Sequence, residues 1–434
     1  MKTADSIPVG KMKRAGTILK TGLKVGKNYA TYYGKKLIDA DISKEDLDKS
    51  NAADIMDSLQ KLKGGGLKVA QMLSMEENLL PKAYVDQFSL AQFSVPPLSA
   101  PLVKKTFVKY FGKPPEEIFD SFDYKSKHAA SIGQVHEAWL DNQRLAVKVQ
   151  YPGVGQSIKS DLAMLKPMAS RILKLNLKDA DKYFTEVESK LIEETDYNLE
   201  LANSIELSKA CTELSEIVFP KYLPEHSNER IITMEWIEGL HLSEYVKQNP
   251  PQKERDRFAQ QLWNFYTYQV HVLKKVHADP HPGNILISED SNLAIIDFGC
   301  VKELPLDFYY PYAELLEPGI LERKDEFIDI LTRLEIFLPD DGPKEKKYFY
   351  NMFYEMLSMA LKPYQDGYFD FGDDDFFKEM SALGERMSKE SLMSEYKPNR
   401  GSKHFIYVNR TFFGLYNLLH MLRGRVNTKE LVVV

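Results

Sequence analysis

Along the chain, apolar and polar residues change period in a recognisable order. Arg144-Leu145-Ala146-Val147-Lys148-Val149-Gln150 alternates with a period of two, as a strand does. Ile231-Ile232-Thr233-Met234-Glu235-Trp236-Ile237-Glu238-Gly239 reads as another strand, ending in a glycine hinge. Ile285-Leu286-Ile287 and Ala294-Ile295-Ile296 are short apolar runs with the look of buried strands. Elsewhere the period is helical. From about Ala15 to Leu37, Leu19, Leu23, Tyr29, Tyr33 and Leu37 recur among lysines. Residues 51–80 read as two helices joined at Lys63-Gly64-Gly65-Gly66. Phe258 to Val276 reads as one helix, and helices dominate from about Phe327 onward. Pro81, Pro96, Pro97, Pro101, Pro114 and Pro115 break the region between into short helices.

The chemistry concentrates around the two apolar runs. His277-Ala278-Asp279-Pro280-His281-Pro282-Gly283-Asn284 leads into the first, and the second delivers Asp297-Phe298-Gly299. In protein kinases the catalytic Asp and a metal-binding Asn stand five residues apart, and the second metal ligand is the Asp of an Asp-Phe-Gly turn. Asp279, Asn284 and Asp297 fit that spacing. An isolated Asp-Phe-Gly is usually only a turn, but strand patterns flank this one on both sides. The spacing has a physical reason: the charge of ATP calls for Mg²⁺ held by hard oxygen ligands, here one amide oxygen and one carboxylate, with Asp279 facing the nucleophile.

Upstream, Ala129-Ala130-Ser131-Ile132-Gly133 forms a turn of mostly small residues before Ala146-Val147-Lys148, the order in which a kinase covers ATP and sends a Lys to its phosphates. That Lys needs a carboxylate on a helix. Glu193, Glu194, Asp196 and Glu200 all qualify by type, and spacing alone does not choose among them. Glu235 closes the strand before the hinge, where adenine would meet backbone groups.

Composition sets limits. The 434 residues suffice for two or three packed units, and 43% hydrophobic with 28% charged residues is ordinary for a globular protein. Cys211 and Cys300 lack metal-ligand spacing and point to a reducing compartment, cytoplasmic or mitochondrial matrix. No apolar run is long enough to span a membrane, and the start lacks a secretory signal. Residues 1–37 hold nine Lys/Arg against Asp5, a surplus of eight, which leaves −14 for the remainder of a chain of net charge −6. That arm is expected to meet an anionic membrane surface or to pack as a basic helix on the body, and nothing downstream supports nucleic acid.

Together these segments resemble the UbiB, or AarF-type, family of atypical protein-kinase-like proteins, from about Ala53 to Arg425. The likeness rests on Lys68 and Gln71, on Ser131-Ile132-Gly133-Gln134-Val135-His136, on Lys148-Val149-Gln150-Tyr151-Pro152-Gly153-Val154, and on Glu194-Thr195-Asp196. Ala70 stands where the family's Lys-x-Gly-Gln motif has Gly, and His128 where an Ala is common. The resemblance implies an α+β, two-lobed kinase-like fold with ATP between the lobes and a helical extension over the cleft. The expected layout is a basic arm (1–50), the extension (51–127), a small lobe (128–239) and a helical large lobe (240–434). It also implies that Glu200 partners Lys148, that Glu194 and Asp196 lie near the nucleotide, and that Lys68 acts at the site. Ala278 in place of Arg before Asp279, and the lack of Ala-Pro-Glu after Gly299, favour an atypical enzyme over a protein kinase. By resemblance, the activity is Mg-ATP hydrolysis or transfer to a small molecule or lipid in ubiquinone or related isoprenoid metabolism, with quinone-pathway intermediates or enzymes as partners. A protein kinase and an ATP-switched scaffold are the rivals.

Overall fold

The computed structural model describes residues 11–36, 43–62, 82–89, 97–130, 132–173, 185, 188–189, 191–393 and 400–429. Lys68, Gln71 and Ser131 lie outside them. The chain divides into two compact units, Met1–Leu201 with Lys221–Trp236, and Ala202–Pro220 with Ile237–Val434.

The first unit is built on a five-stranded antiparallel sheet. Gly133–Leu140 pairs with Ser121–Phe122 and His128–Ala129 and, on its other side, with Gln143–Gln150, which pairs in turn with Ile231–Glu235. Asp141 and Asn142 both have positive φ and make the two-residue hairpin turn whose twist suits the flanking strands. From Leu145 onward the Gln143–Gln150 strand is buried on both faces. Phe107, Phe119 and Phe122 interlock edge-to-face and stacked at one end of the sheet. Phe107 comes from the helix Ala100–Phe111, which starts with Pro101 in its first turn and stops at Gly112, whose φ of 74° suits a left-handed cap.

The N-terminal helix, Lys11–Lys36, packs on Lys44–Leu62 with an unexpected face. Thr21 and Val25 are buried, Thr21 Oγ1 donates to Ser58 Oγ at 2.5 Å, and Asn28 Nδ2 donates to Asn51 and Asp54. The apolar stripe read from the sequence points outward instead: Leu19 and Leu23 are each 67% exposed and Tyr33 60%. Polar residues that pair across the helix contact carry no hydrophobic signal, so the periodicity marked the outer face.

In the second unit a four-stranded sheet runs in the order Ile217–Val218, Leu293–Ile295, Ile285–Ser288, Gly239–His241. Below it the helix Gln252–Tyr268 buries Phe258, Leu262, Trp263 and Phe265 completely, against Leu415, Leu419 and Leu422 of the helix Lys403–Leu422. The helix expected to reach Val276 is shorter. It widens into a π-turn at Gln269–Leu273, reverses at Lys274 (φ 53°), and Lys275–His277 continues as a strand paired with Val301–Glu303. A second short pair, Tyr368–Asp370 with Arg425–Asn427, interrupts the helical C-terminal region. No described helix is long and apolar enough to cross a membrane.

Candidate active site

In the first unit, Lys148 Nζ meets Glu200 Oε1 at 2.5 Å, and both side chains are only 7% exposed. Among the four carboxylates open by type, this is the one that partners the lysine. Alternation explains one half of the contact: Val147 and Val149 are fully buried in the sheet, and Lys148 projects from its other face. The other half depends on a break in the chain. The helical turn at Leu191–Glu194 stops at Thr195, and a new helix, Tyr197–Ala210, begins behind Asp196. Asp196 Oδ1 accepts from the backbone N–H groups of Asn198 and Leu199 at 3.1 and 3.2 Å, which makes Asp196 an N-cap and puts Glu200 in the first turn.

That turn is anchored to the end of the lysine strand. Gln150 Nε2 donates to the Thr195 carbonyl at 3.0 Å. Arg230 Nη1 donates to the same carbonyl at 3.0 Å and to Gln150 Oε1 at 2.5 Å. Arg230 escaped the sequence reading, since nothing in its neighbourhood marks it.

The small-residue turn is an antiparallel hairpin, with Ala129 opposite Gln134 and Ala130 N–H donating to the Gly133 carbonyl. Ala129 is exposed, Ala130 half-buried, and Ile132 and Gly133 buried. Gly133 has its own steric reason to be glycine: a Cβ there would stand 2.5 Å from the Val149 carbonyl oxygen and 2.9 Å from the Tyr197 hydroxyl. Gln134 and His136 form a buried chain. Leu98 N–H donates to Gln134 Oε1 (2.7 Å), Gln134 Nε2 donates to His136 Nε2 (2.7 Å), and His136 Nδ1 therefore carries the proton given to the Asp123 carbonyl (2.9 Å). Burial pulls the His136 pKa down, in keeping with that neutral ring. Glu235 sits at an exposed strand end, its carboxylate accepting from Lys221 N–H.

In the second unit, the side chains of Asn284 and Asp297 are oriented by backbone groups. Ala278 is buried and donates its N–H to the Cys300 carbonyl at 2.8 Å. Asn284 Nδ2 donates to the Asp279 carbonyl at 3.2 Å, which turns Asn284 Oδ1 away as an acceptor. Gly283 N–H donates to His281 Nδ1 at 3.0 Å, and Asn284 N–H to the His281 carbonyl at 2.9 Å. Gly299 N–H donates to Asp297 Oδ1 at 2.8 Å and fixes the plane of that carboxylate. Phe298 is fully buried and rests on His277 and Phe219. His277 is itself buried, which lowers its pKa. One amide oxygen and one carboxylate held this way suit a hard divalent cation such as Mg²⁺, which binds through one or two protein oxygens with the rest of its shell from phosphate and water.

The sequence reading also missed Arg410. Its Nη2 lies 3.6 Å from Asp279 Oδ1, with the two side chains 28% and 29% exposed. Gly414, one turn further along the same helix, makes the approach possible: a Cβ there would stand 2.3 Å from Pro280 Cγ. An Arg followed four residues later by Gly was the available signal, and alone it says little.

A family model for the ABC1 atypical kinase-like domain matches residues 90–328. The atypical kinase COQ8, mitochondrial, of Saccharomyces cerevisiae is 31% identical over 300 residues, 67% of this chain and 59% of that protein. A probable serine/threonine-protein kinase of Dictyostelium discoideum, abkA, is 24% identical over 97% of this chain and 78% of its own length. A chloroplastic aarF domain-containing protein kinase of Arabidopsis thaliana is 30% identical over 67% of this chain, and the match spans 42% of that longer protein. Among solved structures, that of Rv3197 from Mycobacterium tuberculosis in complex with erythromycin superposes with a TM-score of 0.61 at 25% identity, covering 89% of this chain and 95% of that one.

Proposed function

Because the chain belongs to the ABC1 family of atypical kinase-like proteins, we propose that it binds Mg-ATP and catalyses phosphoryl transfer, either to water or to a small-molecule or lipid acceptor. The observation that carries this reading is the buried Lys148–Glu200 pair, the arrangement that a kinase uses to aim a lysine at nucleotide phosphates. Lys148 would neutralise phosphate charge, with Glu200 fixing its ammonium. Asn284 Oδ1 and Asp297 would hold the cation, which when bound screens the phosphate oxygens. Asp279 would orient the attacking hydroxyl or water and accept its proton.

The lack of Ala-Pro-Glu after Gly299 favours a non-peptide acceptor. Service to isoprenoid-quinone or related lipid metabolism rests on the family resemblance alone. The test is phosphate release by the full chain with Mg²⁺, with EDTA, and in Asp279→Asn. Metal-dependent turnover that falls at least about a hundredfold in Asp279→Asn supports the reading, on the scale general-base removal has elsewhere. Equal turnover in the two proteins would overturn it, and binding without turnover in either would leave the scaffold reading.

A second reading comes from the N-terminal helix. Its outward face combines Leu19, Leu23 and Tyr33 with exposed Lys20, Lys24 and Lys27, the composition of a helix lying on an anionic lipid surface. Vesicles containing anionic lipid should sediment the chain in low salt. Leu19→Ser with Leu23→Ser should abolish this without unfolding it, since neither side chain is buried. Unchanged sedimentation would remove the helix as anchor.

A further inference from the structure

The catalytic loop starts where a chain of unusual backbone ends. Lys274 N–H reaches back five residues to the Gln269 carbonyl, closing the π-turn, and a left-handed residue then throws the chain into Lys275–His277. Single π-turns inside helices are uncommon and concentrate at functional sites. This one begins on a polar side chain with no solvent exposure, that of Gln269.

Gln269 Nε2 donates to the Phe265 carbonyl at 3.1 Å, and Gln269 Oε1 accepts from His277 N–H at 2.8 Å. The second bond matters because of strand alternation. Ala278 N–H is spent on the Cys300 carbonyl, so His277 N–H points to the opposite side of the strand, where Gln269 supplies its acceptor. The amide thus ties the last helical turn to the residue two positions before Asp279. The His277 ring itself packs between Tyr266 and Phe298.

We propose that Gln269 is a positioning residue: its side-chain amide sets the height and direction at which the chain enters the catalytic loop, and so the placement of Asp279. The inference rests on the reading of Asp279 as the residue that orients the nucleophile. Loss of the amide should therefore act on turnover more than on nucleotide affinity, because the contacts that orient Lys148 and Asp297 do not involve it, whereas Asn284 is coupled to Asp279 through its backbone carbonyl.

The experiment uses the full chain and compares Gln269→Met, Gln269→Glu and the control Gln261→Met. Met keeps the length and removes both polar functions. Burial favours the neutral acid in Gln269→Glu near pH 6, which again offers an acceptor to His277 and a donor to Phe265. Gln261 is a second buried glutamine on the same helix.

Gln269→Met is expected to bind Mg-ATP within about twofold of wild type while kcat falls about tenfold or more, the size of effect that small misplacements produce. Gln269→Glu at pH 6 should return to within about threefold of wild type, and Gln261→Met should keep its kcat. A folded Gln269→Met with wild-type kcat overturns the inference. So does a loss in Gln269→Glu, or in Gln261→Met, as large as that in Gln269→Met. If Gln269→Met does not fold, Gln269→Asn replaces it, since it keeps an amide but withdraws it from His277 by one methylene. Wild-type kcat there overturns the inference equally. A wild-type chain that shows no more turnover than Asp279→Asn instead counts against the catalytic reading of Asp279, which separates the two failures.

Discussion

The first unit holds its key cation with a charge, and the second orients its key oxygens, one of an amide and one of a carboxylate, with backbone groups. Lys148 and Glu200 meet at 2.5 Å with side chains 7% exposed, a pair removed from water. Asn284 and Asp297 are oriented instead by amide contacts, with the Asp279 carbonyl and with Gly299 N–H. A buried ion pair neutralises its own charge, whereas an amide oxygen and a carboxylate oriented by neutral backbone groups stay available to a cation. Stability should therefore be sensitive to mutation in the first unit and ligand response in the second.

The hardest test of that contrast is Glu200→Ala. It leaves an ammonium buried without its carboxylate, and losing one partner of such a pair costs about 3–5 kcal/mol. Chemical denaturation should show a loss of that size. The double change Lys148→Met with Glu200→Leu should recover most of it, because the desolvation cost disappears along with the attraction. A loss below about 1 kcal/mol in Glu200→Ala would mean that the pair behaves as a surface contact.

Asp297→Asn should do the reverse. Its stability without ligand should stay near wild type, since an amide oxygen can still accept from Gly299 N–H. The shift produced by Mg-ATP at a hundred times its dissociation constant, about 2.7 kcal/mol in the wild type, should largely vanish. Thermal melts with and without Mg-ATP measure both quantities, and an undiminished shift would remove Asp297 as a metal ligand.

The same contrast explains what could be read in advance. Lys148 lay in a strand whose alternation is local, and Asp279, Asn284 and Asp297 lay in a short stretch with fixed spacing, so sequence alone brought them forward. The α+β class and the kinase-like architecture were legible for the same reason. Glu200 could not be chosen among its neighbours by spacing, because the choice is made by a helix break at Thr195 and a cap at Asp196. The π-turn at Gln269–Leu273 was hidden inside an apolar pattern that continues to Val276. At the N-terminus, Thr21 and Asn28 make the buried contact, so hydrophobic periodicity selected the face left in solvent. Arg230 and Arg410 depend on contacts between distant segments, which no local pattern announces.

A third test asks whether the interior of the second unit is kept neutral. His271 is held at a pKa of about 4, below the ordinary value of 6.5, first by burial and then by the charge of Lys274. The unfolded chain therefore takes up this proton before the folded one does. The contribution of His271 to stability is complete above about pH 6.5 and is lost as pH falls toward 4, with a slope of at most about 1.4 kcal/mol per pH unit. His271→Gln should flatten stability against pH across that window relative to wild type. Parallel curves would show that the ring is not held neutral in the folded protein.

The smallest effect, and the one that cuts closest to the chemistry, concerns Arg410. Its contact with Asp279 is long, at 3.6 Å, and both side chains are more than a quarter exposed, so the pair should contribute only about 0–1 kcal/mol to stability. Its position gives it more leverage on function. A guanidinium beside Asp279 restrains the rotation of its carboxylate, and the close packing at Gly414 and Pro280 fixes the helix that carries it. Arg410→Gln should leave the melting temperature within a few degrees of wild type while lowering turnover several-fold at unchanged ATP affinity. Arg410→Lys should fall between, since a lysine restores charge without the planar fork. If both variants turn over at the wild-type rate, the ion pair is a surface contact that happens to include the carboxylate proposed as catalytic. If turnover falls together with ATP affinity, Arg410 acts on the nucleotide rather than on Asp279. Steady-state phosphate release with parallel binding titrations separates the two.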